Sequence, residues 1–142
     1  MNKKIVIIDG QGGKMGQMLI EQIKAKQIKC EIFAVGTNSI ATANMLKSGA
    51  DYGATGENPI VVNSRDADII VGPIGIVVAD SLLGEVTPKI AVAIGQSNAK
   101  KILLPINRCN THIVGTQNLP IADLITLAIE NIQKILLDNV KK

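Results

Sequence analysis

The run D-G-Q-G-G-K-M-G, Asp9 to Gly16, is the stretch of this chain whose residue types and spacing best suit ligand chemistry. It follows an apolar run, K-I-V-I-I-D, and opens a helical pattern, which is the context that gives a glycine-rich segment meaning. Glycines at 10, 12, 13 and 16 remove Cβ atoms where the chain turns sharply, where a pyrophosphate must approach backbone N–H groups, and where helix meets strand. The helix start adds partial positive charge. Asp9, Gly10, Gln11, Gly12, Gly13, Lys14, Met15 and Gly16 are therefore the expected contacts for a nucleotide or another phosphorylated metabolite. The competing reading is a tight strand-to-helix turn with no guest. Asp9 repels a pyrophosphate unless Lys14 or a metal ion offsets its charge. It otherwise accepts a hydrogen bond from a ribose or base, or ties the loop by bonding its backbone amides.

Three further groupings fall after later strands. Dinucleotide folds place an Asp or Glu about twenty residues beyond the glycine loop to grip ribose hydroxyls, whereas this chain has Gly36, Thr37 and Asn38. Their hydroxyl and amide groups suit a ribose or a 2′-phosphate, but no Arg stands nearby, and helix capping explains them equally well. G-P-I-G, comprising Gly72, Pro73, Ile74 and Gly75, offers a rigid, side-chain-poor wall for a ring or phosphate, or else a sharp turn into a packed helix. N-R-C-N-T-H, Asn107 to His112, juxtaposes Cys109 and His112 in the manner of a nucleophile and base. No orienting acid or metal-ligand set accompanies them. The better reading is a buried thiol and a surface histidine, with Asn107, Arg108 and Asn110 as polar ligand contacts. No catalytic residue or metal ligand is assigned. The segment G-A-T-G-E-N, Gly53 to Asn58, reads as a structural loop, with a position over the ligand crevice as the alternative.

These groups need an alternating frame to position them. Lys4 to Asp9 reads as a central strand buried on both faces, and Met15, Met18, Leu19 and Ile23 form the apolar face of the helix after it. A strand at Glu31 to Val35 and a helix from about Ser39 to Ser48 follow, with Asn38 or Ser39 as N-cap and Gly49 just beyond the end. Asp51 to Pro59 reads as an ordered loop, and Ile60 to Asn63 and Ala67 to Gly72 as short strands. Ile76 to Leu83 and Thr87 to Gln96 look helical, Ile102 to Ile106 looks like a strand, and Ile113 and Val114 like a last short one. A long helix from about Pro120 to Val140 closes the chain. Leu127, Leu137 and Val140 add apolar surface off its main face, which suits a second subunit.

Composition narrows the classes. One domain accounts for all 142 residues, and the length is too short for the two-domain layout of most nicotinamide dehydrogenases. With one Phe, one Tyr and no Trp, the core must be aliphatic, as suits parallel strands between helices. A net charge of +3 on scattered lysines, without aromatic platforms, argues against nucleic acid. The longest apolar stretch, Ile69 to Ala79, is broken by Gly72, Pro73 and Gly75 and is far short of the roughly 20 residues a membrane span needs. The apolar run after Lys3 and Lys4 is too short for a signal-peptide core, so a cytoplasmic location with Cys30 and Cys109 as thiols is expected.

The loop spacing G-x-G-G-x-M-G with Lys14 resembles the fingerprint of the dihydrodipicolinate reductase family over about the first twenty-five residues. That resemblance implies NADH or NADPH against Gly10, Gly12, Gly13, Lys14, Met15 and Gly16, but the reductase's substrate domain has no counterpart here. Over a longer span, I-D-G-Q-G-G, G-T-N-S-I-A-T, M-L-K-S-G-A-D, G-A-T-G-E-N, V-G-P-I-G-I and P-I-N-R-C-N resemble the short bacterial family known as domain of unknown function 3842. This likeness runs from Lys4 to about Gly115 and implies a Rossmann-like α/β fold: a three-layer sandwich with a mostly parallel sheet and a long C-terminal helix. It brings no activity. The functional expectation is a cytoplasmic ligand-binding module, with homo-oligomers anticipated. An NADP-dependent oxidoreductase completing its site across a homodimer is one alternative. An S-adenosylmethionine-dependent methyltransferase is another, since an acid followed by glycines after the first strand is reminiscent of that class.

Overall fold

K-I-V-I-I-D forms the central strand β1 (Lys4–Asp9), and Ile5 to Ile8 are fully buried because helices cover both sides of the sheet. The structure, a computed structural model, describes residues 2–106 and 110–140. Ile5 and Ile7 pack with α1 (Lys14–Ala25), α2 (Ser39–Lys47) and α5 (Ile121–Val140). Val6 and Ile8 face the other way, onto α3 (Glu57–Ser64) and α4 (Pro88–Gln96), as the two-residue period of a strand requires. The remaining strands are β2 (Glu31–Gly36), β3 (Tyr52–Thr55), β4 (Ile69–Pro73) and β5 (Lys100–Leu104).

Sheet order is β3-β2-β1-β4-β5, with every neighbouring pair parallel. The sequence led us to expect a mostly parallel sheet; this one is wholly parallel, in a Rossmann-like three-layer sandwich. The chain steps outward from β1 through β2 to β3 and then crosses back to lay β4 on the far side of β1. Loops leaving β1 and β4 therefore diverge at the carboxyl edge, which is where open parallel sheets form a crevice. Local signals agree with the helix ends: Asn38 Oδ1 accepts from the Ala41 amide at 2.9 Å, Thr87 Oγ1 from the Ile90 amide at 3.1 Å, and Gly49 has φ +113° just past α2.

Four expectations need correction. Ile60 to Asn63 lies inside α3 and is not a strand; Ile60 is buried against the sheet while Val62 is exposed, a one-sided burial that favours a covering helix. The expected loop from Asp51 contains β3, an edge strand whose residues pair with Phe33 to Gly36 of β2. Ile76 to Leu83 is not a helix: a 3₁₀ turn occupies Ile74–Val77, and Asp80, Leu82 and Leu83 then take φ values of 66°, 55° and 56°. Ile113 and Val114 form no strand, and Val114 lies in an exposed turn. Among the described residues no helix is long and apolar enough to cross a membrane.

Gly72 shows how tightly β4 approaches β1, since a Cβ there would lie 2.6 Å from the Ile8 carbonyl oxygen and 2.7 Å from Ile76 Cδ1. Gly72→Ala must push a central strand aside and is expected to cost about 1–3 kcal/mol, measured as a lower urea midpoint with an unchanged slope.

Candidate functional site

The turn from β1 into α1 is organised by a carboxylate beneath it. Asp9 is only 6% exposed; its Oδ1 accepts the Gly10 amide and its Oδ2 the Gly16 amide, both at 2.8 Å. Burial raises the Asp9 pKa above its ordinary value, the amides of Gly16, Gly10 and Met15 oppose that rise, and the charge of Glu85 adds to it. Of the roles open to Asp9, the structure displays the local one: it ties the loop through backbone amides. Gly13 has φ +73°, and a Cβ on it would press to 2.7 Å from Ala41 Cα, so the loop rests directly on α2. Asn44 Nδ2 donates to the Gly12 carbonyl at 2.8 Å and Asn38 Nδ2 to the Gln11 carbonyl at 2.9 Å.

Gly12 differs from the other loop glycines. It is exposed, and a Cβ on it would meet nothing within 4 Å, whereas one on Gly10 would meet Thr37 Oγ1 at 2.6 Å and one on Gly16 would collide with Met45 Sδ. Four glycines in the run thus have two purposes: close packing at 10, 13 and 16, and open backbone at 12. The amides of Gly12 and Lys14 have no hydrogen-bond partner among the described residues, and the Lys14 side chain is exposed.

Thr37 and Asn38 come to the same place from the end of β2. Both bond a residue that the sequence reading missed, Glu85: its Oε1 accepts Thr37 Oγ1 at 2.6 Å, Asn38 Nδ2 at 2.8 Å and the Gln11 amide at 2.9 Å. Burial alone would raise the Glu85 pKa, but these three donors outweigh it and hold the carboxyl below its ordinary value. Glu85 sits 48 positions from Thr37 on the segment between β4 and α4, so no local pattern could have pointed to it. Gly36 lies against Thr42, whose Oγ1 accepts its amide at 3.2 Å.

The other expected contacts are placed differently. Gly72, Pro73 and Gly75 are buried and Ile74 is half-buried, with the Gly75 carbonyl accepting the Ser81 hydroxyl. Asn107, Arg108 and Cys109 lie outside the described residues, and His112 is exposed. Gly53 belongs to β3, and Glu57 and Asn58 open α3. Among the described residues no group of three His, Cys, Asp or Glu side chains could hold a metal ion. Cavities of about 390, 200 and 180 Å³ lie between α3 and α4, beside Phe33 and Tyr52, and between α1 and α5, and the glycine loop lines none of these three.

Residues 4–137 match the family described as a domain of unknown function, DUF3842. The chain belongs to that family. No curated protein and no solved structure matches it. The DUF3842 match starts at the first residue of β1 and ends within α5, so the glycine loop, the end of β2 and Glu85 all fall inside the family domain.

Asp9→Asn replaces one acceptor oxygen with a second N–H donor, leaving one of the two loop amides unmatched. It is expected to lower the unfolding free energy by about 1–3 kcal/mol, read from urea denaturation; an unchanged midpoint would show that the Asp9 bonds do not hold the turn. Glu85 provides a pH test. Because its folded pKa is lowered from the ordinary carboxyl value, its stabilising contribution is complete above the ordinary pKa and is lost as pH falls through the folded one. The difference in Tm between the wild type and Glu85→Gln should therefore narrow on acidification from pH ~7 to ~3.

Proposed function

We propose that the chain is a small ligand-binding module that holds a nucleotide or another phosphorylated metabolite against the outward side of the β1–α1 loop. The observation that carries this reading is the exposed Gly12, whose surroundings are open where every neighbouring loop glycine is packed against side chains or α2. A phosphate resting there would accept the Gly12 and Lys14 amides and meet the Lys14 ammonium, at the positive end of a twelve-residue helix. Inward-facing donors are not part of this seat, because Asp9 already occupies the amides of Gly10 and Gly16. The position also fits the topology, since the loop stands at the edge where β1 and β4 diverge. Exposed Leu127 and Leu137 on α5 support a self-associating form of the module.

A thermal-shift series with ADP, AMP and NAD tests the seat. A nucleotide at a hundred times its dissociation constant should stabilise the protein by about 2.7 kcal/mol. Gly12→Asp puts an anion in open space at a position of ordinary backbone conformation, so the fold should be kept and the shift abolished. A shift that survives in Gly12→Asp would remove the loop from the site.

A further inference from the structure

We propose that Glu85 is the acid that grips the ribose of the bound nucleotide and selects a free 2′-hydroxyl over a 2′-phosphate. The inference rests on the reading of the glycine loop as a nucleotide seat and assigns the sugar end of that ligand. Folds of this topology commonly supply the ribose acid from the end of the second strand. Here β2 ends in Gly36 and is followed by the neutral Thr37 and Asn38. Those two side chains nevertheless hold a carboxylate at that station, brought in by the chain that follows β4.

Its geometry differs from that of a simple tie. All three donors, Thr37 Oγ1, Asn38 Nδ2 and the Gln11 amide, converge on Oε1, and Oε2 has no partner among the described residues. One oxygen is fixed and the other is left as an acceptor beside the glycine loop. Ribose hydroxyls are donors and match such an oxygen; a 2′-phosphate offers acceptors only and carries like charge. The three bonds also lower the carboxyl's pKa from its ordinary value.

The segment carrying Glu85 is itself anchored. Leu82 and Val86 are buried in the core, the Asp80 amide donates to the Val86 carbonyl at 2.7 Å, and the Val86 amide donates to the Ser81 carbonyl at 3.2 Å. Asp80, Leu82 and Leu83 hold left-handed backbone between these points. Such backbone persists only when its surroundings over-determine it, so Glu85 is presented from a fixed loop. Leu83 is 96% exposed at its tip and contributes nothing to that anchoring.

Isothermal titration of the full chain with ADP, 2′-deoxy-ADP and adenosine 2′,5′-bisphosphate tests the proposal. The wild type should bind ADP about 10-fold or more tightly than either analogue. Glu85→Ala should bring ADP and 2′-deoxy-ADP to within about 3-fold, and Glu85→Gln, which keeps an acceptor for the three donors but no charge, should raise the relative affinity of the bisphosphate about 10-fold. Equal binding of all three by the wild type, or unchanged discrimination in both variants, would overturn the ribose assignment while leaving the nucleotide seat in place. Failure of the wild type to bind any of the three would overturn both.

Discussion

A carboxylate buried beneath a helix start is costly to desolvate, and Asp9 is tolerated there because each of its oxygens accepts a backbone amide. The two amides belong to opposite ends of the turn, Gly10 at its entry and Gly16 inside the first turn of α1. One side chain therefore fixes how strand, loop and helix meet. The same bonds divide the loop's amides into two sets. The amides of Gly10 and Gly16 are consumed internally, and those of Gly12 and Lys14 have no partner among the described residues.

The wholly parallel sheet supplies the other constraint. Loops after β1, β2 and β4 all emerge at one edge, and the return from β3 across to β4 sets the post-β4 segment beside the glycine loop. That segment runs irregularly from Val78 to Thr87 because Asp80, Leu82 and Leu83 adopt left-handed conformations that a helix excludes. Leu82 and Val86 turn into the core alongside Ile76 and Ile90. Their burial holds the chain over the carboxyl edge and brings Glu85 within bonding distance of two other loops.

Much of this frame was legible in the residues, and the failures have particular causes. β1, α1, β2 and α2 announce themselves through apolar runs, glycine punctuation and the Asn38 cap, all local signals. I-V-V-N at 60–63 has strand-like β-branched residues, yet it lies in α3, where packing across the sheet overrides propensity. Y-G-A-T at 52–55 shows no apolar pattern because β3 is a largely exposed edge strand, specified by its pairing with β2. Asp9 was recognised as a possible loop tie from its position. Glu85 was not recognised at all, since a contact with Thr37 across 48 residues exists only once the sheet has formed.

The two acids at this edge bear on a tension present in the sequence, namely an expected anion-binding loop next to a carboxylate. Asp9 is buried and spent on amides, so most of what it presents to a guest is the arrangement it imposes on the backbone. Glu85 is the carboxylate nearer the surface; two of its three donors, Thr37 and Asn38, follow β2, and the third, the Gln11 amide, belongs to the glycine loop beside Gly12. The edge thus carries both kinds of group: the Gly12 and Lys14 amides with the lysine side chain, and a carboxylate tied between the loop and the residues after β2. A ligand complementary to both needs an anionic group joined to a group bearing hydroxyls. A lone phosphate or a lone sugar would satisfy one and leave the other to water. On the proposed reading, a nucleotide is the ligand that would meet both kinds of group, the loop donors and the Glu85 carboxylate.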